Sequence, residues 1–127
     1  MIKKKAIYRC EKCGNIIESL WDGNPPIICC DQPMKELVAN TTDAAQEKHV
    51  PVIQREGDKV TVKIGSVAHP MTAEHYILFI EVLDGDNIYR KDLTINDAPE
   101  ASFMVKNAKI IARAFCNLHG LWQKEEE

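Results

Sequence analysis

The chain of 127 residues contains five cysteines and four histidines, and all of them fall into two groups by position. The first group, near the N-terminus, contains only cysteines: Cys10, Cys13, Cys29 and Cys30. The second group contains four imidazoles and one thiol: His49, His69, His75, Cys116 and His119. Four thiolates suit a closed tetrahedral site for iron or zinc. Four nitrogens and one sulfur would leave one octahedral position open for a small ligand, and an open position permits chemistry.

The first group has the spacing of a metal knuckle. Cys10-x-x-Cys13 lets two thiolates from one turn face a common ion at about 2.3 Å, and Gly14 supplies the permissive backbone that such a turn needs. Cys29 and Cys30 are adjacent, so we expect the sulfur–metal–sulfur angle on their side to open and the tetrahedron to distort. Spacing does not separate zinc from iron, and the first pair alone would favour a structural zinc site.

The second group lies at expected strand ends and loops, where ligands from several strands can converge on the rim of a sandwich. Cys116-x-x-His119 is itself a chelate if its loop bends back, which Asn117 and Gly120 would ease. A cysteine among histidines favours iron or copper, because a hard ion such as magnesium would reject both ligand types.

Two charged residues precede His49. By composition alone Glu47 and Lys48 would be ordinary surface charges, but their position beside a ligand changes this interpretation. Lys48 could draw in a small anion and stabilise its developing negative charge, and Glu47 could cap the oxidised ion.

The remaining composition limits the classes of function. The net charge is −3 without a basic module, which makes a nucleic-acid partner unexpected. No apolar run approaches the roughly 20 residues of a membrane span, and no signal-peptide core follows the first residues. We therefore expect a cytoplasmic protein with no membrane association, in which reducing conditions favour metal ligands over disulfides. The charged runs 3–5 and 125–127 are interpreted as solvated tails.

Hydrophobic patterning predicts an all-β chain with two domains, residues 1–37 and 38–127. Short strands at 6–9 and 15–20 surround the first knuckle, a turn follows at 22–26, and a linker lies near 38–43 with a possible helical turn at 44–47. Beyond it the period is two, in segments at 60–64, 76–83, 103–106 and 108–115. This spacing indicates an antiparallel sandwich, whereas the first module is too small to fold without a metal.

The sequence resembles the desulfoferrodoxins, the two-iron form of superoxide reductase, over essentially its whole length. The similarity lies in separated motifs: Cys10-Glu-Lys-Cys13-Gly-Asn, Cys29-Cys30, Glu47-Lys-His-Val-Pro51, His69-Pro-Met71, Glu74-His-Tyr76 and Cys116-Asn-x-His-Gly120 followed by Trp122. The resemblance implies a desulforedoxin-like N-terminal module, with a rubredoxin-type iron on four cysteines, followed by an immunoglobulin-like β-sandwich. It also implies a second iron with the four histidines equatorial and Cys116 axial.

The resemblance further implies reduction of superoxide to hydrogen peroxide at the open ferrous position, in defence of an anaerobe or microaerophile against oxidative stress. Lys48 would guide the anion and Glu47 would occupy the open position on ferric iron, while the backbone amides of Leu118 and His119 would donate to the Cys116 sulfur. Rubredoxin or a similar protein would supply electrons to a homodimer, and zinc could replace iron at the first site. Two alternatives stay open: a rubredoxin-like electron carrier without its own substrate, and a zinc-ribbon interaction module.

Overall fold

The computed structural model describes residues 5–24, 26–42 and 48–126 and divides the chain into two compact units, Met1–Val38 and Ala39–Glu127. Every regular element among the described residues is a β-strand, which confirms the predicted all-β class. No helix able to span a bilayer occurs in this part of the chain. The helical turn expected at 44–47 lies outside the described residues.

The first unit contains five short strands in two small sheets. The strands are β1 (Ile7–Arg9), β2 (Ile16–Glu18), β3 (Ile28–Cys29), β4 (Gln32–Pro33) and β5 (Lys35–Glu36). β1 lies between β2 and β5, and β3 pairs with β4, all antiparallel. The buried hydrophobic side chains of this unit are few among its described residues, namely Ile7, Tyr8 and Cys10.

The second unit is an antiparallel sandwich of a three-stranded and a four-stranded sheet. Its strands are β6 (Pro51–Glu56), β7 (Lys59–Ile64), β8 (Ile77–Asp84), β9 (Asn87–Asp92), β10 (Glu100–Met104), β11 (Ile110–Cys116) and β12 (Gly120–Glu126). The sheet orders are β10-β7-β6 and β12-β11-β8-β9. The inner faces meet in a core that includes Val60 and Val62 of β7, Ile80 and Val82 of β8, and Ala112 of β11. Alternating apolar residues thus form the core, as the period of two predicted.

The boundary between the two units falls between Val38 and Ala39, within the range predicted for the linker. Asn40 belongs to the second unit, where it donates its N–H to Leu121 O at 2.9 Å and accepts from Gln123 N at 2.9 Å. One expectation from the sequence needs correction. The acidic run at 125–127 is not wholly a solvated tail. β12 extends to Glu126, whose carboxylate lies 3.1 Å from the guanidinium of Arg55 on β6. Strand pairing at a sheet edge uses backbone groups, so charged side chains do not prevent it.

Candidate metal centres

The four cysteines of the first group come together in the first unit, with sulfur atoms all within 4.8 Å of one another. Cys10 and Cys13 lie in the knuckle after β1, which is closed by hydrogen bonds from Gly14 N to Cys10 O and from Cys10 N to Asn15 O, each at 2.9 Å. Gly14 has a φ of +84°, which confirms the need for a glycine there.

The adjacent cysteines Cys29 and Cys30 reach the same cluster through a tight turn. Successive side chains of an extended strand point to opposite faces, so a continuous strand would separate the two sulfurs. Cys29 ends β3 and pairs with Gln32 of β4, leaving Cys30 and Asp31 as a two-residue loop. Both loop residues have positive φ, 53° and 62°, as in a type I′ turn. A non-glycine residue in this conformation costs about 1–2 kcal/mol, which is backbone strain stored next to a ligand.

The thiols of this cluster differ in acidity. The pKa of Cys10 is lowered to about 6, chiefly because the backbone N–H of Cys13 donates to its sulfur. The pKa of Cys30 is raised to about 12 by its interactions with Cys13, Cys10 and Cys29, including repulsion from charge on Cys10. One thiolate is therefore favoured, and each additional negative charge is opposed by those already present. A bound cation would remove this opposition, so the donor set fits a thiophilic metal.

The four histidines surround one point at one end of the sandwich. Ring centroids of neighbouring imidazoles are 4.6 Å apart for His49–His69 and His69–His75, 5.1 Å for His75–His119 and 4.9 Å for His119–His49. The His49–His75 separation, 6.2 Å, is longer than any of these, as a diagonal is in a square. Neighbouring rings are inclined at 61–80° to one another. The histidines thus form a four-sided arrangement of edge-on rings.

Cys116 adds a sulfur to this arrangement. The donor atoms of His49, His75, Cys116 and His119 lie within 4.8 Å of one another, and Cys116 Sγ is 3.8 Å from His119 Nδ1. His69 is outside this group of four, although its ring adjoins those of His49 and His75. Two ligand atoms on opposite sides of one ion, each about 2.0–2.3 Å from it, are about 4.0–4.6 Å apart. The donor atoms of this group are within 4.8 Å of one another, so one ion can bind all four.

Each ligand candidate is placed by the end of a strand. Cys116 ends β11, where a register shift between Phe115 and Cys116 interrupts the pairing with β8. The extra residue is Leu78 of β8, so Cys116 keeps the inward-facing side of β11 that Ala112 and Ala114 share. Cys116 pairs with Gly120 of β12, so residues 117–119 form a three-residue loop that carries His119. Gly120 has a φ of +86°, consistent with the predicted bend.

The loops that follow β7 and precede β8 place the central histidines. His69 N donates to Ile64 O at 2.9 Å, which closes the turn after β7. His75 is held by reciprocal backbone bonds with Thr72, at 2.9 and 3.2 Å. His69 Nδ1 lies 2.8 Å from Pro70 O. A carbonyl can only accept, so Nδ1 carries the proton and Nε2, which is buried from solvent, presents its lone pair.

Two residues near this site have contacts that the sequence did not reveal. The Trp122 indole stacks on the His49 ring with centroids 4.6 Å apart at 15°, and its Nε1 donates to His119 O at 3.1 Å. The Asn117 side chain bonds to the backbone on both sides of His75. Sequence spacing placed Asn117 in a bend and Trp122 after the motif, but spacing carries no information about these partners.

Of the two charged residues predicted beside the second site, only Lys48 is described. It is half-buried and directly precedes His49, which is 2% exposed. Glu47 lies outside the described residues, so its capping role stays a prediction. The amide donors predicted from Leu118 and His119 to the Cys116 sulfur also stay a prediction.

Comparison with known proteins identifies the family. The family description Desulfoferrodoxin matches residues 41–125, and Desulfoferrodoxin, N-terminal domain, matches residues 3–37. The chain belongs to the desulfoferrodoxin family. It is 52% identical to the desulfoferrodoxin homolog of Archaeoglobus fulgidus over 123 residues, covering 97% of this chain and 98% of that protein. The resemblance inferred from the motifs is therefore confirmed.

Two relatives named superoxide reductase are also similar to this desulfoferrodoxin. The crystal structure of the Treponema pallidum superoxide reductase matches with a TM-score of 0.77 at 31% identity, covering 94% of this chain and 96% of that one. The Pyrococcus horikoshii superoxide reductase is 38% identical over 111 residues, covering 72% of this chain and 96% of its own. With the family match, these confirm the predicted fold class of a small N-terminal module followed by a β-sandwich.

Proposed function

We propose that this desulfoferrodoxin is a superoxide reductase, which adds one electron and two protons to superoxide and forms hydrogen peroxide. The observation that carries the proposal is the convergence of four imidazoles and the Cys116 sulfur at one end of the sandwich. Two relatives with this name, similar over most of their own length, support it.

Iron is the metal that we assign to both sites, held by Cys10, Cys13, Cys29 and Cys30 in one and by His49, His69, His75, Cys116 and His119 in the other. Thiolate and imidazole donors suit iron and exclude hard ions, although zinc could also occupy the four-cysteine site. Bound at the second site, ferrous iron would supply the electron and an open coordination position. We place the domain boundary at residues 37 and 38, supported by the two compact units and by the two family matches.

The residues around the second site prepare it for a small anion. The Lys48 ammonium would attract superoxide and offset the negative charge that grows on it, and water held at Lys48 would deliver protons. The Cys116 sulfur is fully buried, so its negative charge is poorly screened by solvent and favours the oxidised state of the site. The His69 Nδ1 proton is held by a hydrogen bond to Pro70 O, so Nε2 keeps its lone pair available to bind the metal.

The first site is proposed to relay electrons or to cross-link its unit, rather than to bind substrate, because four thiolates leave no open position. Its Cys13 and Cys30 residues are exposed, which suits electron entry from a partner protein. We propose rubredoxin or a similar carrier as that donor, a homodimer as the assembly and defence against oxidative stress as the role.

The reaction type is tested by mixing prereduced protein with a pulse of superoxide while measuring iron oxidation, hydrogen peroxide and dioxygen. We expect one peroxide for each second-site iron oxidised and no dioxygen. A dismutase would release peroxide and dioxygen together from two superoxide ions. Release of dioxygen in that proportion, or superoxide decay without iron oxidation, would refute the proposal. A colourless protein would favour the zinc-ribbon alternative, because ferric thiolate sites absorb visible light.

A further inference from the structure

The Asn117 side chain connects two loops that carry ligand candidates. Asn117 directly follows Cys116 in the loop between β11 and β12. Its Oδ1 accepts a hydrogen bond from Tyr76 N at 2.9 Å, and its Nδ2 donates to Glu74 O at 2.9 Å. These partners are the residues on either side of His75. A third bond joins the backbones, from Asn117 N to Tyr76 O at 3.2 Å.

The chemistry of the contact requires a primary amide. One partner is a backbone donor and the other a backbone acceptor, and among short side chains only asparagine presents both an acceptor oxygen and a donor nitrogen. The pairing of β11 with β8 ends at Cys116 and Ile77. The Asn117 amide continues the hydrogen bonding between these chain segments beyond that last pair. It does so where the backbone turns away to form the His75 loop.

We propose that Asn117 is a positioning residue, which holds His75 at a fixed distance from Cys116 and His119; this role rests on the proposed function of the second site. His75 Nε2 is buried, and Thr72 makes hydrogen bonds with His75 inside the loop. Without the amide, two of the three hydrogen bonds that Asn117 makes to the residues flanking His75 would be lost. Outer contacts that orient ligands commonly change metal affinity about 10–100-fold.

The test measures metal release, which does not depend on superoxide. Iron-loaded full-length protein is mixed with an iron chelator, and the loss of the thiolate absorption band of each site is followed separately. We expect Asn117→Ala to release second-site iron about 10–100-fold faster than the wild type. The four-cysteine site of the same molecules should be unchanged and serves as an internal control.

Asn107→Ala is the matched control variant. The Asn107 Nδ2 donates to the Asp84 carboxylate at the far end of β8. The substitution therefore also removes a side-chain amide hydrogen bond from the sandwich, but it leaves the His75 loop intact. It should lower the unfolding temperature without accelerating iron release. Asn117→Asp keeps the side-chain shape and loses the donor to Glu74 O. If the alanine variant does not fold, the rate of second-site iron release is measured on Asn117→Asp instead, and it should again exceed that of the wild type.

Equal release from wild type and a folded Asn117 variant, or acceleration by Asn107→Ala to the same degree, would overturn the proposal. Absence of superoxide reduction in the wild type would instead refute the proposed function, while the release rates would still report on Asn117.

Discussion

Replacing Gly65 with alanine should displace Lys48 from the second site. Gly65 follows β7 with a φ of +45°, and a Cβ atom there would lie 2.3 Å from Lys48 O, 2.5 Å from Lys48 C and 2.6 Å from Lys48 Cβ. Nonbonded atoms of these types pack at about 3.5 Å, so the Lys48 backbone would have to move by about 1 Å. Because His49 is the next residue, the ligand candidate would move as well.

The cost has two separable parts. A left-handed backbone costs an alanine about 1–2 kcal/mol, and overpacking against the Lys48 backbone typically costs about 1–3 kcal/mol more. A displacement of about 1 Å near a reacting centre can slow a reaction by about 10²-fold. We therefore expect Gly65→Ala to lose about 2–5 kcal/mol of unfolding free energy and about 10–100-fold in the rate of superoxide consumption.

Gly57→Ala provides the control for this prediction. Gly57 precedes the same strand and has a similar φ of +62°, but, apart from Gly57 and its two chain neighbours, no heavy atom of the described residues lies within 4 Å of the point that a Cβ atom would occupy there. The variant should lose only about 1–2 kcal/mol, the backbone part of the cost, and keep the wild-type rate. Urea unfolding and the second-order rate of superoxide decay, measured at low and high ionic strength, distinguish the variants. Equal stability and equal rates for the two alanine variants would refute the reasoning.

Three further predictions concern charge and the first site. Lys48→Ile should slow superoxide consumption and flatten its dependence on ionic strength, whereas an unchanged rate at low salt would remove Lys48 from the mechanism. Cys13→Ser should spoil the four-cysteine centre but leave fast superoxide reduction by prereduced protein; loss of the fast reaction in a folded variant would contradict this. The pKa of Asp97 is held below its ordinary value because the Thr94 backbone N–H and hydroxyl donate hydrogen bonds to its carboxylate. The ionised carboxylate therefore stabilises the fold above about pH 5, and this stabilisation is lost as the pH falls through the lowered pKa. Asp97→Asn should accordingly be less stable than wild type at about pH 7, with the difference in urea midpoints shrinking towards about pH 3, and a difference that does not vary with pH would exclude this explanation.

In the second unit, the three central strands and part of the edge strand β10 were predictable from the sequence, and the other edge strands were not. Alternation identified the segments that became β7, β8 and β11, because their inward side chains form the core. Within the second unit three strands were missed: Pro51–Glu56, Asn87–Asp92 and Gly120–Glu126, which are β6, β9 and β12. Each lies at the edge of its sheet, where pairing depends on backbone groups and the side-chain pattern is weak.

The candidate ligands were identifiable because the chain has only five cysteines and four histidines, and every one of them falls into one of two groups with the spacing of metal ligands. Their supports were not, because the contacts of Asn117, Trp122 and Gly65 join segments far apart in the sequence and use backbone atoms or a ring face. A glycine at the end of a strand indicates a turn, but only coordinates show that its missing side chain makes room for Lys48. The adjacent cysteines are a similar case, since the I′ turn that unites them does not contain the usual asparagine or glycine.

The two sites differ in how far their units depend on a metal. The first unit has few buried apolar side chains among its described residues, and its positive-φ turn at Cys30 costs further free energy, so ligand–metal bonds must supply much of its stability. The second unit has an extensive core that includes Val60, Ile80 and Val82, which can hold the sandwich together whether or not the histidines bind an ion. Loss of the first metal should thus be a local event. That independence makes Cys13→Ser a test of catalysis by the second site rather than of folding.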